Sequence, residues 1–138
     1  MSNNEEFPLQ NKQVSITINE THTTILLTGF ADKIFVVITQ YGKIGSMIQT
    51  TFDISPHLAM DPSSVPTTSQ FLMGESTGEQ SELYILYSTS ILQAIGAMNP
   101  HEKRPFLLGI ALKPLQDMSA RKQVFHQIID QVMANRVW

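Results

Sequence analysis

The sequence predicts an α+β domain in which an antiparallel sheet of about six strands carries two helices on one face. Two observations lead to this prediction. Five strand-like segments joined mostly by short links come first, and two segments with three- and four-residue apolar spacing follow. One further strand-like segment separates the two predicted helices, which gives the order β-β-β-β-β-α-β-α.

The first four strands are expected to form a meander. VSITIN, residues 14–19, alternates apolar and polar side chains, as a half-buried strand does. TTILLTGF (23–30), KIFVVITQ (33–40) and SMIQTTF (46–52) follow after short links. Because short strands with short links pair antiparallel, we interpret residues 41–45 as the tip of a hairpin.

A long loop, residues 53–68, interrupts this pattern with three prolines, and we expect it to be mobile at least in part. Leu58 and Met60 lie among the prolines. They are either stray apolar residues in a disordered loop or the anchors of a flexible arm that docks into a partner. The fifth strand, TTSQFLM, occupies residues 67–73.

Two helices are predicted from apolar spacing, one over residues 81–99 and one after Asp117 or Ser119, which are candidate caps. The apolar positions of the first are Leu83, Tyr87, Ile91, Ala94, Ile95 and Met98. Those of the second are Val124, Phe125, Ile128, Ile129, Val132 and Met133. PFLLGIALK, residues 105–113, forms the sixth strand between them, and its smaller side chains share one face, as if that face met a close-packed layer. The closing RVW is expected to anchor the last helix.

Composition limits the possible functions. The 138 residues suggest a single domain over residues 13–138, preceded by a flexible polar leader, residues 1–12. The absence of cysteine excludes disulfides and thiolate metal sites. A net charge of −3 provides no basic field for nucleic acid or an anionic membrane, and no apolar run could span a bilayer. Without a signal peptide, the expected location is the cytoplasm, with the nucleus as a second compartment.

The Gly42-Lys43 pair after an apolar strand invites comparison with a phosphate-binding loop. Such a loop requires an earlier glycine, here replaced by Val37, and a Ser or Thr after the lysine, here Ile44. The four histidines lie far apart in the sequence, and no carboxylate pair or serine nucleophile motif is evident. We therefore predict no cofactor, no metal and no enzymatic activity.

Two helices can cover one face of the predicted sheet, but no further element remains to cover the other. The third strand is apolar on both faces, which is typical of a strand covered twice. We expect a second sheet, packed face to face in a dimer, to contact Leu26, Phe35 and Val37. The alternative cover is the loop 53–68, whose prolines and small polar residues suit it poorly.

VVITQYGKIGSM, residues 36–47, resembles the signature hairpin of the proteasome assembly chaperone 3 family. The matching positions are Val36, Val37, Thr39, Gln40, Tyr41, Gly42, Lys43 and Gly45. The strand TTSQFLMG, the first helix, PFLLGIALK and the closing Val137 and Trp138 continue the resemblance in the same order.

The resemblance implies a heterodimer with proteasome assembly chaperone 4, formed sheet against sheet. It also implies that the dimer promotes correct ordering of α-subunits in the ring of the 20S proteasome. Subunit α5 would be a main contact, and the dimer would leave as β-subunits arrive, without ATP. A homodimer of the isolated chain is the alternative when the companion is absent.

Four further residues are candidate partner contacts: Tyr41 and Lys43 at the hairpin tip, and Leu58 and Met60 in the long loop. Tyr41 could equally be part of the core. Two other classes compete with the chaperone interpretation. One is a dimeric adaptor or scaffold unrelated to the proteasome. The other is a small enzyme with a pocket between dimer sheets.

Overall fold

A computed structural model of the chain describes residues 10–138. The predicted order of six strands and two helices is confirmed. The strands are β1 (Gln10–Ile18), β2 (Thr21–Gly29), β3 (Ile34–Thr39), β4 (Ser46–Phe52), β5 (Thr67–Met73) and β6 (Phe106–Ala111). The helices are α1 (Glu79–Met98) and α2 (Met118–Ala134), and two short 3-10 turns occupy Pro56–Leu58 and Pro62–Ser64.

The sheet is mixed rather than wholly antiparallel. Its strand order is β1-β2-β3-β6-β4-β5, and β3 and β6 are parallel whereas every other pair is antiparallel. The predicted meander is therefore wrong between β3 and β4, because β6 lies between them. Residues 40–45 form an arch over the end of β6 rather than a hairpin tip. Gln40 N donates to Ala111 O at 2.8 Å, and Gly45 N donates to Ile110 O at 3.3 Å.

The insertion of β6 follows from the path of α1. Both β5 and β6 pair antiparallel with β4, so they run in the same direction. Parallel strands of one sheet need a long crossover, and α1 provides it by passing over β4. The apolar composition of β6 on both faces suits this central position. Local sequence patterns identify β6 as a strand, but they do not show which strands it pairs with.

Both helices pack on the same face of the sheet, as predicted. The core on that face is formed by alternate side chains of the strands together with one side of each helix. The sequence missed part of the buried side of α1, namely Tyr84, Ser88 and Leu92. Ser88 hydrogen-bonds Thr50 of β4 at 2.6 Å, so this buried polar pair is satisfied. Met98, predicted to be apolar core, is 51% exposed at the end of α1.

The second helix is capped and then tied to the sheet by the end of the chain. Asp117, one of the two predicted caps, accepts a hydrogen bond from Ser119 N at 3.2 Å. Val137 is buried, and its carbonyl oxygen lies 2.7 Å from where a Cβ on Gly29 would sit. Only glycine allows this approach to β2. The expected anchoring of the last helix is confirmed.

The first strand begins earlier than the sequence pattern suggests. Residues 10–12, assigned to the leader, pair with residues 27–29 of β2. Backbone hydrogen bonds extend this strand where side-chain alternation gives no signal. The rest of the predicted leader, residues 1–9, lies outside the described residues.

The loop after β4 is more regular than the sequence predicts, and it packs on α1. Pro56 and Val65 are buried. Gln93 of α1 donates to Val65 O at 3.0 Å, and Gly96 leaves room for Pro56. Because these contacts are made with α1, the loop does not cover the other face of the sheet.

Arg104, in the connection before β6, forms an ion pair with Glu102 and also donates a hydrogen bond to the turn between β2 and β3. Arg104 donates from Nε and Nη2 to the Glu102 carboxylate at 2.8 and 2.9 Å, and from Nη1 to Phe30 O at 2.9 Å. The Glu102 side chain is only 6% exposed. The hydrogen bonds from Arg104 outweigh the effect of burial and lower the pKa of Glu102.

We expect Arg104→Ala to lower the free energy of unfolding by about 2–4 kcal/mol at pH 7, because it leaves a buried carboxylate without its partner. The control is Lys33→Ala, which breaks the exposed pair with Asp32 and should cost at most about 1 kcal/mol. Urea denaturation followed by circular dichroism measures both. Equal losses in the two variants would contradict this role of Arg104.

The pair also predicts a pH dependence. Because the folded pKa of Glu102 lies below its unfolded value, the stabilisation is present above the ordinary Glu pKa of about 4.3. It is lost as the pH falls through the folded pKa. Removal of Arg104 removes the main cause of the lowered pKa. Urea denaturation between pH 7 and pH 3 should therefore show a smaller loss of stability on acidification in Arg104→Ala than in the unsubstituted chain.

Candidate protein-interaction surface

The sheet face opposite the helices, here called the open sheet face, collects side chains from all six strands. Paired residues of neighbouring strands project from the same face. Leu26 is paired with Val37, and Val37 with Gly109, in one row across the sheet. The next row contains Phe35, which is paired with Leu107. The structure thus places the three predicted sheet-face residues, Leu26, Phe35 and Val37, on the face opposite the helices, where Leu26 is 38% exposed and Val37 is already buried within this chain at 7%.

The open sheet face has an apolar centre and an uncharged polar margin. The central side chains are Leu26, Phe35, Val37, Met47 and Leu107. The outer strands contribute the polar residues Asn11, Gln13, Ser15, Thr17, Thr68 and Gln70 and the apolar Met73, and β2 adds His22 opposite Thr17. None of the side chains that the register places on this face is Asp, Glu, Lys or Arg. Interface cores are depleted in charge, whereas water-exposed faces normally carry it.

One residue that the sequence interpretation overlooked, Ile44, lies on this face. Its side-chain atoms come within 3.0–3.2 Å of where a Cβ on Gly109 would sit. The Cβ of Ala111 is 3.4 Å from the Cβ position of Gly45. The small residues of β6 therefore accommodate the arch formed by residues 40–45. They were predicted to meet a close-packed layer, and that layer belongs to the chain itself.

The arch is held by the hydroxyl group of Thr39. Thr39 Oγ1 donates to Lys43 O at 2.6 Å and accepts from Tyr41 N at 3.1 Å and from Lys43 N at 3.2 Å. Gly42 adopts a φ of 75°, which a side chain would disfavour. Two residues of the signature sequence thus fix the backbone of the arch.

Gln40 ties the arch to its surroundings. Its Nε2 donates to Thr23 Oγ1 at 3.1 Å, and its Oε1 accepts from Lys113 N at 2.8 Å. The amide thereby links β2 to the segment that follows β6. Because this role depends on three elements that meet only in the fold, it could not be inferred from the sequence beyond the family resemblance.

Tyr41 and Lys43 project from this rigid arch. Tyr41 is 51% exposed, which excludes a place in the core of this chain, and the Lys113 ammonium lies 5.9 Å from its ring centroid. Both residues line a groove together with Gly78, which precedes α1, and Ser81 in the first turn of α1. A rigidly held exposed tyrosine loses little conformational entropy on binding and suits a protein contact.

The two predicted loop contacts lie elsewhere. Leu58 is 73% exposed, and Met60 is fully exposed, on the loop that packs near the end of α1. An α-helix of this length spans roughly 30 Å. Tyr41 and Lys43 on the arch therefore form one surface, and Leu58 and Met60 on the loop form a second surface at the opposite end of α1.

Other features of the described residues concern ligands and membranes. Within residues 10–138, no group of three His, Asp or Glu side chains could hold a metal ion. His57 and His101, distant in sequence, stack with ring centroids 4.5 Å apart. Neither α1 nor α2 has the length and apolar character to cross a bilayer.

Comparison with known proteins identifies the family. A family model described as "Proteasome assembly chaperone 3" matches residues 36–135, which include the arch, both helices and β6. The chain belongs to the proteasome assembly chaperone 3 family. A protein of that name from Nematostella vectensis is 28% identical over 103 residues, which are 74% of each chain.

A solved structure has the same fold. It is a chain in the crystal structure of a chaperone complex for yeast 20S proteasome assembly, with a TM-score of 0.56 and 13% sequence identity. The match covers 88% of this chain and 96% of the yeast chain.

We expect Thr39→Val to lower the free energy of unfolding by about 1–3 kcal/mol, because two backbone amides and one carbonyl lose their shared partner. Thr39→Ser retains the hydroxyl group and serves as the control, with a loss below about 1 kcal/mol. Urea denaturation measures the stability, and amide hydrogen exchange at Tyr41 and Lys43 reports on the arch. Unchanged exchange in Thr39→Val would contradict this role of the hydroxyl group.

Proposed function

We propose that this member of the family acts as an assembly chaperone of the 20S proteasome in a heterodimer with proteasome assembly chaperone 4. The two chains would associate sheet against sheet through their open sheet faces. In the cytoplasm, with the nucleus as a second compartment, the dimer would promote correct ordering of α-subunits in the ring. The family assignment implies a binding role rather than catalysis and disfavours an unrelated adaptor.

The observation that carries this proposal is the uncharged open sheet face. An apolar centre surrounded by uncharged polar side chains is well suited to pack against a similar surface. Leu26 lies between Val37 of β3 and Gln13 of β1 and is 38% exposed in the isolated chain. Covering such a face removes apolar area from water and leaves no charged side chain buried without a partner.

Two separate surfaces are candidates for contact with the α-ring. One is the arch with Tyr41 and Lys43, and the other is the loop with Leu58 and Met60. We propose that one or both bind α-subunits, chiefly α5. Because they lie at opposite ends of α1, they could contact neighbouring subunits and disfavour a wrong neighbour.

Release is part of the proposal. The dimer would bind the side of the ring that β-subunits later occupy, and the arriving β-subunits would displace it without ATP. A chaperone that must dissociate requires a modest interface with its client. The contact between the two chaperones can be more extensive, since it need not open at this step.

We expect Leu26→Glu to weaken binding to proteasome assembly chaperone 4 by at least about tenfold, because a carboxylate would enter the apolar centre. Leu58→Glu introduces the same change on the loop and should leave this binding within about twofold. Purified chains and isothermal titration calorimetry give both affinities. Equal affinities for the two variants would contradict a sheet-to-sheet interface.

The wider function is tested by co-expression of the tagged chain with proteasome assembly chaperone 4 and the α-subunits. We expect affinity purification to recover the companion chaperone together with α-subunits, α5 among them. Recovery of neither would refute the proposed function. Recovery of the companion without any α-subunit would refute the α-ring part of it.

A further inference from the structure

A groove between the two helices has no role in the function proposed above. Its apolar lining consists of Leu83 and Leu86 from α1 and Met118 and Phe125 from α2, around a volume of about 500 Å³. Leu86 is 51% exposed and Met118 is 69% exposed. The ring of Phe125 lies 4.7 Å from that of buried Tyr87, which gives the groove a rigid floor. This helix groove is an apolar surface outside the core.

The helix groove is lined by two basic side chains, one of which is compensated by a carboxylate, in a chain whose net charge is −3. Arg121 and Lys122 line it, and no Asp or Glu does. Arg121 donates to Leu115 O at 2.7 Å and is paired with Glu79 at 3.4 Å, which fixes its side chain. Lys122 has no ion-pair partner among the described residues. An occupant with apolar side chains next to carboxylates would complement this surface.

The position of the helix groove makes it independent of the dimer contact. The groove lies on the helix layer, and the open sheet face lies on the opposite side of the sheet. A sheet packed on the open face leaves the groove accessible. One molecule can therefore hold a partner on each side at the same time.

We propose that the helix groove binds an acidic amphipathic segment of a proteasome α-subunit while the open sheet face holds the chaperone companion. An apolar side chain of that segment enters between Leu86 and Met118, and a neighbouring carboxylate pairs with Lys122. This mode is the docking of an amphipathic segment into an apolar groove. The proposal rests on the proposed function, since it assigns that function a further client surface.

Two pairs of matched variants test the helix groove in the heterodimer co-expressed with α-subunits. Leu86→Glu changes the groove, and Met98→Glu makes the same kind of change on the same helix at a residue that is also 51% exposed. Lys122→Glu reverses the charge of the groove, and Lys103→Glu reverses an exposed charge elsewhere. All four positions are on the surface of a helix or loop, and urea denaturation checks that each variant folds.

We expect Leu86→Glu to reduce recovery of α-subunits at least about tenfold and Lys122→Glu to reduce it at least about threefold, with the companion still bound. Met98→Glu and Lys103→Glu should stay within about twofold of the unsubstituted chain. If Leu86→Glu and Lys122→Glu match their controls, the inference is wrong while the proposed function stands. If the unsubstituted heterodimer recovers no α-subunit, both fail.

A photo-crosslinker in place of Leu86 identifies the occupant. The inference requires crosslinks to an α-subunit segment in which apolar residues lie beside Asp or Glu. Crosslinks to the chaperone companion, or to a segment without acidic residues, would overturn it.

Discussion

The position of β6 between β3 and β4 is the constraint on which the rest of the structure depends. It makes β3 and β6 a parallel pair at the centre of the sheet, and it requires α1 to cross over β4. It also forces residues 40–45 to arch over the end of β6, where Thr39 and Gln40 hold the backbone. Thr39, Gln40 and Gly42 thus form the arch that this topology needs.

The same topology leaves one sheet face without a cover. The crossover helix and α2 lie together on one side, and the described residues provide only the arch, through Ile44, on the other. A six-stranded sheet with an uncharged, centrally apolar face is suited to a partner of the same shape. The helix layer remains outside such a pair, so that surfaces on it are available for a client. In this view one side of the sheet binds the companion chaperone, and the helix layer on the other side binds the client.

Much of the fold could be predicted from the sequence, because helix and strand periodicities are local properties. All eight elements followed from spacing, the uncovered face followed from the number of helices, and Asp117 was one of two candidate caps. Strand pairing could not be predicted, because the neighbours of β6 depend on the path of the crossover helix, which local sequence patterns do not show. The covering of Gly109 by Ile44 and the link from Gln40 to Lys113 were missed for the same reason, since each joins residues distant in sequence. Leu26, Phe35 and Val37 share one face because the register of β2 and β3 aligns their alternation, and their contact with a partner stays a prediction.

The central claim is that a companion sheet covers the open sheet face. Intermolecular methyl nuclear Overhauser effects test it most directly, in a complex in which this chain and proteasome assembly chaperone 4 carry different isotope labels. We expect such effects between the companion and the methyl groups of Leu26, Val37, Met47 and Leu107, and none to Leu83 or Leu86 of the helix layer. Intermolecular effects to the methyl groups of Leu83 or Leu86, with none to the sheet methyl groups, would contradict the central claim.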